Sequence, residues 1–166
     1  EDRVTESPDQ EEAGEDQPGI PWSEYRFEGL KPSGNSVLHI TATNYDEPEC
    51  ANLVERHIGI LSLHGTTGQD PVTYLGGLDT HTGERIAAEL ALAGFDVEQA
   101  PPELAGTDVD NICNHGLTGK GIQLEITTTQ RSAWFDTNTA SQRWATRNAT
   151  FAAYVTAVRT ALPGTT

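Results

Sequence analysis

Ile58 to Gly68 reads IGILSLHGTTG. Its opening residues, Ile58 to Leu63, make a short apolar run of the length of a buried strand. His64 follows, and a small-residue turn begins at Gly65. In open α/β sheets, ligands sit outside the carboxyl ends of strands, which is where this imidazole falls. Such a histidine is either an ordinary hydrogen-bonded polar residue or a metal ligand, a role neutral imidazole fills more often than any other side chain.

The neighbouring segments set the fold class. Gly121 to Thr127, GIQLEIT, alternates as a strand does, with Ile122, Leu124 and Ile126 on one face and Gln123 and Glu125 on the other. Between the two strands, Val72 to Leu75 is a further strand candidate. Asp79 caps a helix over THTGERIAAELALAG, whose apolar residues Ile86, Ala87, Leu90 and Leu92 recur at helical intervals before Gly94 stops it. Phe95 to Val97 reads as an edge strand.

Upstream, Tyr25 to Leu30 and Ser36 to Ala42 read as strands joined by a turn at residues 31–35. Asp46-Glu47-Pro48 opens a helix that runs to about His57. Downstream, Asp108 to Gly116 is a polar loop or short helix. Ala140 to Leu162 reads as one long amphipathic helix with Phe151, Tyr154, Val155 and Val158 as its stripe, ended by Pro163-Gly164. Strands alternating with helices predict an α/β sandwich. Residues 21–166 form one domain, and residues 1–20 an acidic loop or tail carrying eight carboxylates and one arginine.

Composition narrows the function. Twenty-five acidic against ten basic residues leave a net charge of −15, a field that repels phosphate backbones and argues against nucleic acid. No apolar run is long enough to span a bilayer, so no membrane partner is expected. Localisation is open between a cytoplasmic and a secreted setting. Lysine occurs only at Lys31 and Lys120, against eight arginines. That balance fits either a high-salt setting or an acidic soluble domain of any origin. Cys50 and Cys113 have neither zinc-knuckle nor redox spacing and read as two buried thiols, with a single disulfide as the alternative. Asn148-Ala149-Thr150 matches the short glycosylation acceptor pattern. There is no methionine in the chain, so Glu1 is not expected to be a native start.

Several residues have side chains suited to chemistry. Glu125 lies mid-strand, either on a solvated face or in a pocket, where desolvation would raise its pKa and suit it to general-base work. Asn111, Asn114 and His115 cluster in the preceding loop, and Arg131 follows the strand. Amides and a guanidinium beside a carboxylate suit an anionic substrate. His39 interrupts an apolar stretch, as a hydrogen-bonded core histidine or a pocket residue.

The segments YRFEGLKPSGNSVLHITATNYDEP, LSLHGTTG, VTYLGGLDT and NICNHGLTGKGIQLEI, with Arg131, resemble the poly-gamma-glutamate hydrolase family in content and order over Tyr25 to Phe135. The resemblance implies a fold like that of zinc carboxypeptidases, a mixed sheet between helices in a three-layer sandwich. It implies a zinc cofactor and a gamma-linked glutamate polymer as substrate. The family's S-[IL]-H-G motif falls on His64 as a zinc ligand, and its G-[VI]-Q-L-E strand puts the general base at Glu125. Its N-I-C-N-R-G loop falls on Asn111 to Gly116. Arg131, His39 and the loop residues Asn111, Asn114 and His115 become candidate substrate contacts.

Two departures stand out. His115 replaces the family's arginine, removing a fixed positive fork from the expected grip on substrate. The family's amino-terminal H-G-G-x-I-E-P-G-T-S-E segment, whose first His and first Glu complete the zinc site, has no complete counterpart. Glu1 and Glu6 have the spacing of that segment's two glutamates, which makes Glu1 the expected second zinc ligand and puts the histidine upstream. The alternative is that Glu1 is one carboxylate in an acidic tail. With only Glu1 and His64 of the set, zinc binding is expected to be weak. Other functions compatible with these residues are a carboxypeptidase-like hydrolase of other acidic peptides and a non-catalytic binding module of the same fold.

Overall fold

A computed structural model of the chain describes residues 22–27, 34–139 and 141–162. Glu1, the acidic segment, the turn at residues 31–33 and the Pro163-Gly164 stop lie outside the described residues. Four strands form one sheet: β1 (Leu61–Thr66), β2 (Val72–Gly77), β3 (Asp96–Gln99) and β4 (Ile122–Thr127). Their spatial order is β1-β4-β2-β3. β1 runs parallel to β4, β4 antiparallel to β2, and β2 parallel to β3, so the sheet is mixed, as expected. The helices are α1 (Pro48–Val54), α2 (Thr80–Leu92), α3 (Thr128–Ser132) and α4 (Ala149–Ala161).

β4 organises the molecule. All six of its residues are buried, yet their chemistry alternates. Ile122, Leu124 and Ile126 join Leu75, the α2 residues Ile86 and Leu90, and the α4 residues Tyr154, Ala157, Val158 and Ala161 in the main core. Ile86, Leu90 and Leu124 have no exposed surface, and each contributes about 1.5–3 kcal/mol by burial. Gln123, Glu125 and Thr127 point to the opposite face. α2 begins where Asp79 accepts a hydrogen bond from the Thr82 N–H at 3.1 Å. It ends before Gly94, whose φ of 87° suits glycine. Cys50 and Cys113 are both buried and free, and burial raises the Cys113 thiol to about 11.

Several readings need correction. The strand read over Ile58 to Leu63 begins only at Leu61 and runs past His64 to Thr66, so the histidine lies within it; β1 is an edge of the sheet and not a buried strand, with Leu63 63% exposed and Ile58, before it, 73% exposed. The segment Ser36 to Ala42 is not a strand: it holds two short 3-10 turns, Asn35–Leu38 and Ala42–Asn44. Its apolar run is too short to anchor a helix and has no neighbouring strand to pair with among the described residues, and His39 is exposed rather than in the core. Residues 22–27 of the other strand candidate carry no regular structure. The final helix starts at Ala149, because the extended Asn148 accepts bonds from the Thr150 and Phe151 N–H groups and caps it there. A separate 3-10 turn, Arg143–Thr146, occupies part of the expected first half.

Candidate functional site

The parallel register of β1 on β4 sets His64 directly beside Glu125, and Ser62 beside Gln123. These four side chains share the polar face, because residues two apart on a strand point the same way. His64, Gln123 and Glu125 floor a cavity of about 530 Å³, within the range of small-ligand sites. Its walls come from residues 41–43 with His39, and from the 102–108 loop.

His64 Nδ1 lies 3.9 Å from Glu125 Oε1. Burial, helped by the neighbouring His39, holds the imidazole below the ordinary histidine value. Burial pushes the Glu125 carboxyl up, while the Gln123 hydrogen bond and the positive charge of Arg131 draw it partly back. Both shifts oppose charge, so the contact is a carboxyl group beside an imidazole held toward its neutral form rather than an ion pair. Ser62 Oγ lies 2.8 Å from His64 Nε2.

Glu125 is oriented by a buried amide relay. Gln123 Nε2 donates to Glu125 Oε1 at 3.2 Å and to the Leu104 carbonyl at 3.1 Å. The Gln123 side-chain oxygen accepts from Asn111 Nδ2 at 3.0 Å. Asn111 Oδ1 in turn accepts from the Cys113 N–H at 3.1 Å. The loop closes tightly over this relay at Gly106, which has φ +60°; a Cβ there would lie 2.8 Å from Gln123 Cδ. Only glycine tolerates both conditions without strain.

Of the sequence-derived candidates, His39, His64, Asn111 and Glu125 meet at the cavity. Asn114, His115 and Arg131 are not among its lining residues. Asn114 staples the wall from behind, donating to the carbonyls of Gly106 at 2.9 Å and Asp108 at 2.8 Å. His115 is exposed at the end of the 3-10 turn Ile112–Asn114. Arg131 lies across Gly65 and donates to the carbonyls of Ile126 and Thr66 at 3.0 and 3.1 Å, so its guanidinium is engaged by strand ends. Sequence reasoning gave Ser62 and Gln123 no role. The signal was present, because each precedes a candidate by two positions and so shares its face.

Among the described residues, no three His, Cys, Asp or Glu side chains are gathered to hold a metal. The pair that is present fits part of such a site. His64 is held toward its neutral form, and its Nδ1 makes no hydrogen bond among the described residues. That is the state in which imidazole ligates a metal.

A mixed sheet with an ionisable pair under a cavity on its polar face puts the chain among α/β proteins with a cleft suited to acid–base chemistry. The chain belongs to the poly-gamma-glutamate hydrolase family, whose model matches residues 11–157. It is 41% identical over 140 residues to UPF0714 protein YmaC of Bacillus subtilis (strain 168), covering 83% of this chain and 60% of the relative. It is 42% identical over 136 residues to the SPbeta prophage-derived UPF0714 protein YoqZ of the same organism, covering 81% of this chain and 50% of the relative. The chain thus spans about half to three fifths of these relatives.

Two solved structures share the fold. A bacteriophage poly-gamma-glutamate hydrolase matches with TM-score 0.76 and 37% identity, over 80% of this chain and 65% of its own. A structure described as "YNDL-apo (Zinc-free)" matches with TM-score 0.77 and 34% identity, over 81% and 67%.

Proposed function

We propose that the chain is part of a zinc-dependent hydrolase of gamma-glutamyl amide bonds in poly-gamma-glutamate, with His64 and Glu125 in its catalytic site. The observation that carries this reading is the register pairing of His64 with Glu125 under a cavity, in a chain of this family. His64 would hold zinc, with Glu1 as a second ligand on the family's spacing. Zinc, when bound, polarises a scissile carbonyl and acidifies water toward a pKa of about 7.

The chain's own residues do the rest. Glu125 takes a proton from the attacking water as the new C–O bond forms. It returns that proton to the amide nitrogen as the C–N bond breaks, so the leaving group departs as a neutral amine. The Gln123 bond to Oε1 fixes the carboxylate while this happens. His39 and Asn111 present donors from the wall to the carboxylates of the substrate. Asn114 holds the wall loop. Arg131 acts through its charge on Glu125, and His115, exposed and outside the cavity lining, replaces the family's arginine.

The test is hydrolysis of poly-gamma-glutamate with added zinc. Glu125→Gln lowers kcat by about 10²–10⁴-fold, the usual contribution of a general base. Undiminished turnover in that variant removes Glu125 from the mechanism. Polymer binding without hydrolysis in the unsubstituted chain supports a binding module instead. Faster cleavage of alpha-linked acidic peptides points to a carboxypeptidase-like specificity.

A further inference from the structure

The charge of the chain is unevenly spread. Of its 25 acidic residues only Asp136 falls within residues 127–166, which hold four of its ten basic ones. Three residues of that segment, Arg143, Trp144 and Arg147, come together on the surface, and all are exposed. The Arg147 guanidinium carbon lies 4.2 Å from the centre of the Trp144 ring and 5.4 Å from that of Phe151. The Arg143 guanidinium lies over Phe135 at 5.7 Å. A guanidinium stacked on a ring keeps its in-plane N–H donors available at its edges.

The patch stands on a fixed frame. Arg143 and Trp144 open the 3-10 turn, and Arg147 follows it in an antiparallel bridge with Phe135. Arg147 Nε donates to the Trp144 carbonyl at 3.1 Å, and Arg143 Nε to Asn138 Oδ1 at 2.8 Å. Each bond uses one of the five donors of its guanidinium. Among the described residues, neither arginine has a carboxylate within ion-pair distance. Asp136 accepts instead from Asn148 Nδ2 at 3.4 Å. Glu24 pairs with Arg26, whose guanidinium lies 5.5 Å from the Trp144 ring.

Two such arginines beside an exposed indole suit carboxylates brought by another molecule. A gamma-linked glutamate polymer matches both features. Each of its residues carries one free carboxylate for a guanidinium, and the methylenes of its backbone can pack on the indole. We infer that Arg143, Trp144 and Arg147 form an anchoring surface for this polymer outside the cavity, whose lining includes none of the three. The inference rests on the proposed substrate class and not on the zinc chemistry. The family assignment favours this polymer over a nucleic acid, which the same donors would also accept. The patch works against the repulsion of the rest of the molecule, so its contribution is read as a difference between variants.

The experiment is isothermal titration of the chain with long poly-gamma-glutamate at about 0.1 M salt, with a chelator present so that no zinc takes part. Arg143→Gln combined with Arg147→Gln is expected to weaken binding by about three- to thirtyfold, the worth of two exposed charge contacts. Arg56→Gln combined with Arg85→Gln removes the same charge from exposed arginines elsewhere and leaves binding nearly unchanged. Arg143→Lys combined with Arg147→Lys keeps the charge and most of the binding. At about 1 M salt the gap between the unsubstituted chain and the first glutamine pair closes. Equal losses in the two glutamine pairs would assign the effect to overall charge and overturn the inference. So would unchanged binding in a folded Arg143→Gln, Arg147→Gln chain, no binding by the unsubstituted chain, or tighter binding of single-stranded DNA than of the polymer. If the polymer binds at the patch but is not cut when zinc is supplied, the surface stands and the hydrolase reading falls. If it is cut with the same KM whether or not the two arginines are present, the hydrolase reading stands and the surface falls.

Discussion

Glu125 bears opposing demands at one residue. Its side chain is 9% exposed, and burial raises its pKa against the weaker pull of Gln123 and Arg131. A carboxyl whose folded pKa lies above its unfolded one stabilises the fold below the unfolded value, and that stability is lost as pH rises through the folded value. At neutral pH, above the unfolded value, Glu125 is therefore a net burden on folding. Glu125→Gln is expected to raise Tm at pH 7. The gain should shrink as pH falls and vanish below the ordinary glutamate range of about 4.3. Thermal unfolding across that window checks it, and an equal gain at every pH would assign the effect to packing instead. Each half of the pair could be singled out in the sequence, His64 by its strand and Glu125 by its alternation. Their adjacency was hidden, because it depends on a parallel register between segments far apart in the chain. Spacing within a strand would have shown that Ser62 and Gln123 share those faces.

The elements that read clearly are those whose local signals and packing agree. α2 has its Asp79 cap, its buried Ile86 and Leu90 and its Gly94 stop, and all appear in the structure, but Leu92, read onto the same apolar face, is 82% exposed. α4 shows how periodicity misleads when a cap lies inside it. The apolar stripe continues upstream, but Asn148 takes an extended conformation and turns its side chain on the helix end. It also donates from Nδ2 to the Ala133 carbonyl at 3.0 Å, so the helix start is tied to the segment after α3. This engagement also gives the acceptor pattern at Asn148 a structural purpose. Asn148→Ala should cost about 1 kcal/mol, toward 2 because both functions are lost. Asn148→Asp keeps the capping oxygen and should cost less. Urea unfolding of the two variants separates the cap from the tether, and equal losses would mean the cap contributes nothing. The segment Ser36 to Ala42 misled in another way. A short apolar run specifies a strand only when a neighbour pairs with it, and sequence alone does not reveal the neighbour.

At the scale of the whole molecule, the charge of −15 opposes the proposed substrate, itself a chain of carboxylates. The cavity gives little local relief, since its wall includes Glu103 and Asp108 and its floor Glu125. Repulsion of this kind acts mainly on encounter, because it is felt at distances where no contact has formed. Salt removes it: the Debye length falls from about 10 Å at 0.1 M to about 3 Å at 1 M. The rate of cleavage of poly-gamma-glutamate should therefore rise with sodium chloride, through a falling KM rather than a rising kcat. Screening also relieves self-repulsion within the folded chain, which would raise activity by another route if the protein were partly unfolded at low salt. Two controls separate these causes. Assays well below Tm remove the stability contribution. A short gamma-glutamyl oligomer, carrying fewer charges than the polymer, should respond less. A flat or falling salt profile on the polymer under those conditions would mean that long-range repulsion does not limit encounter. Equal responses of polymer and oligomer would place the salt effect inside the site, at Glu125 and its neighbours, rather than in the field of the molecule.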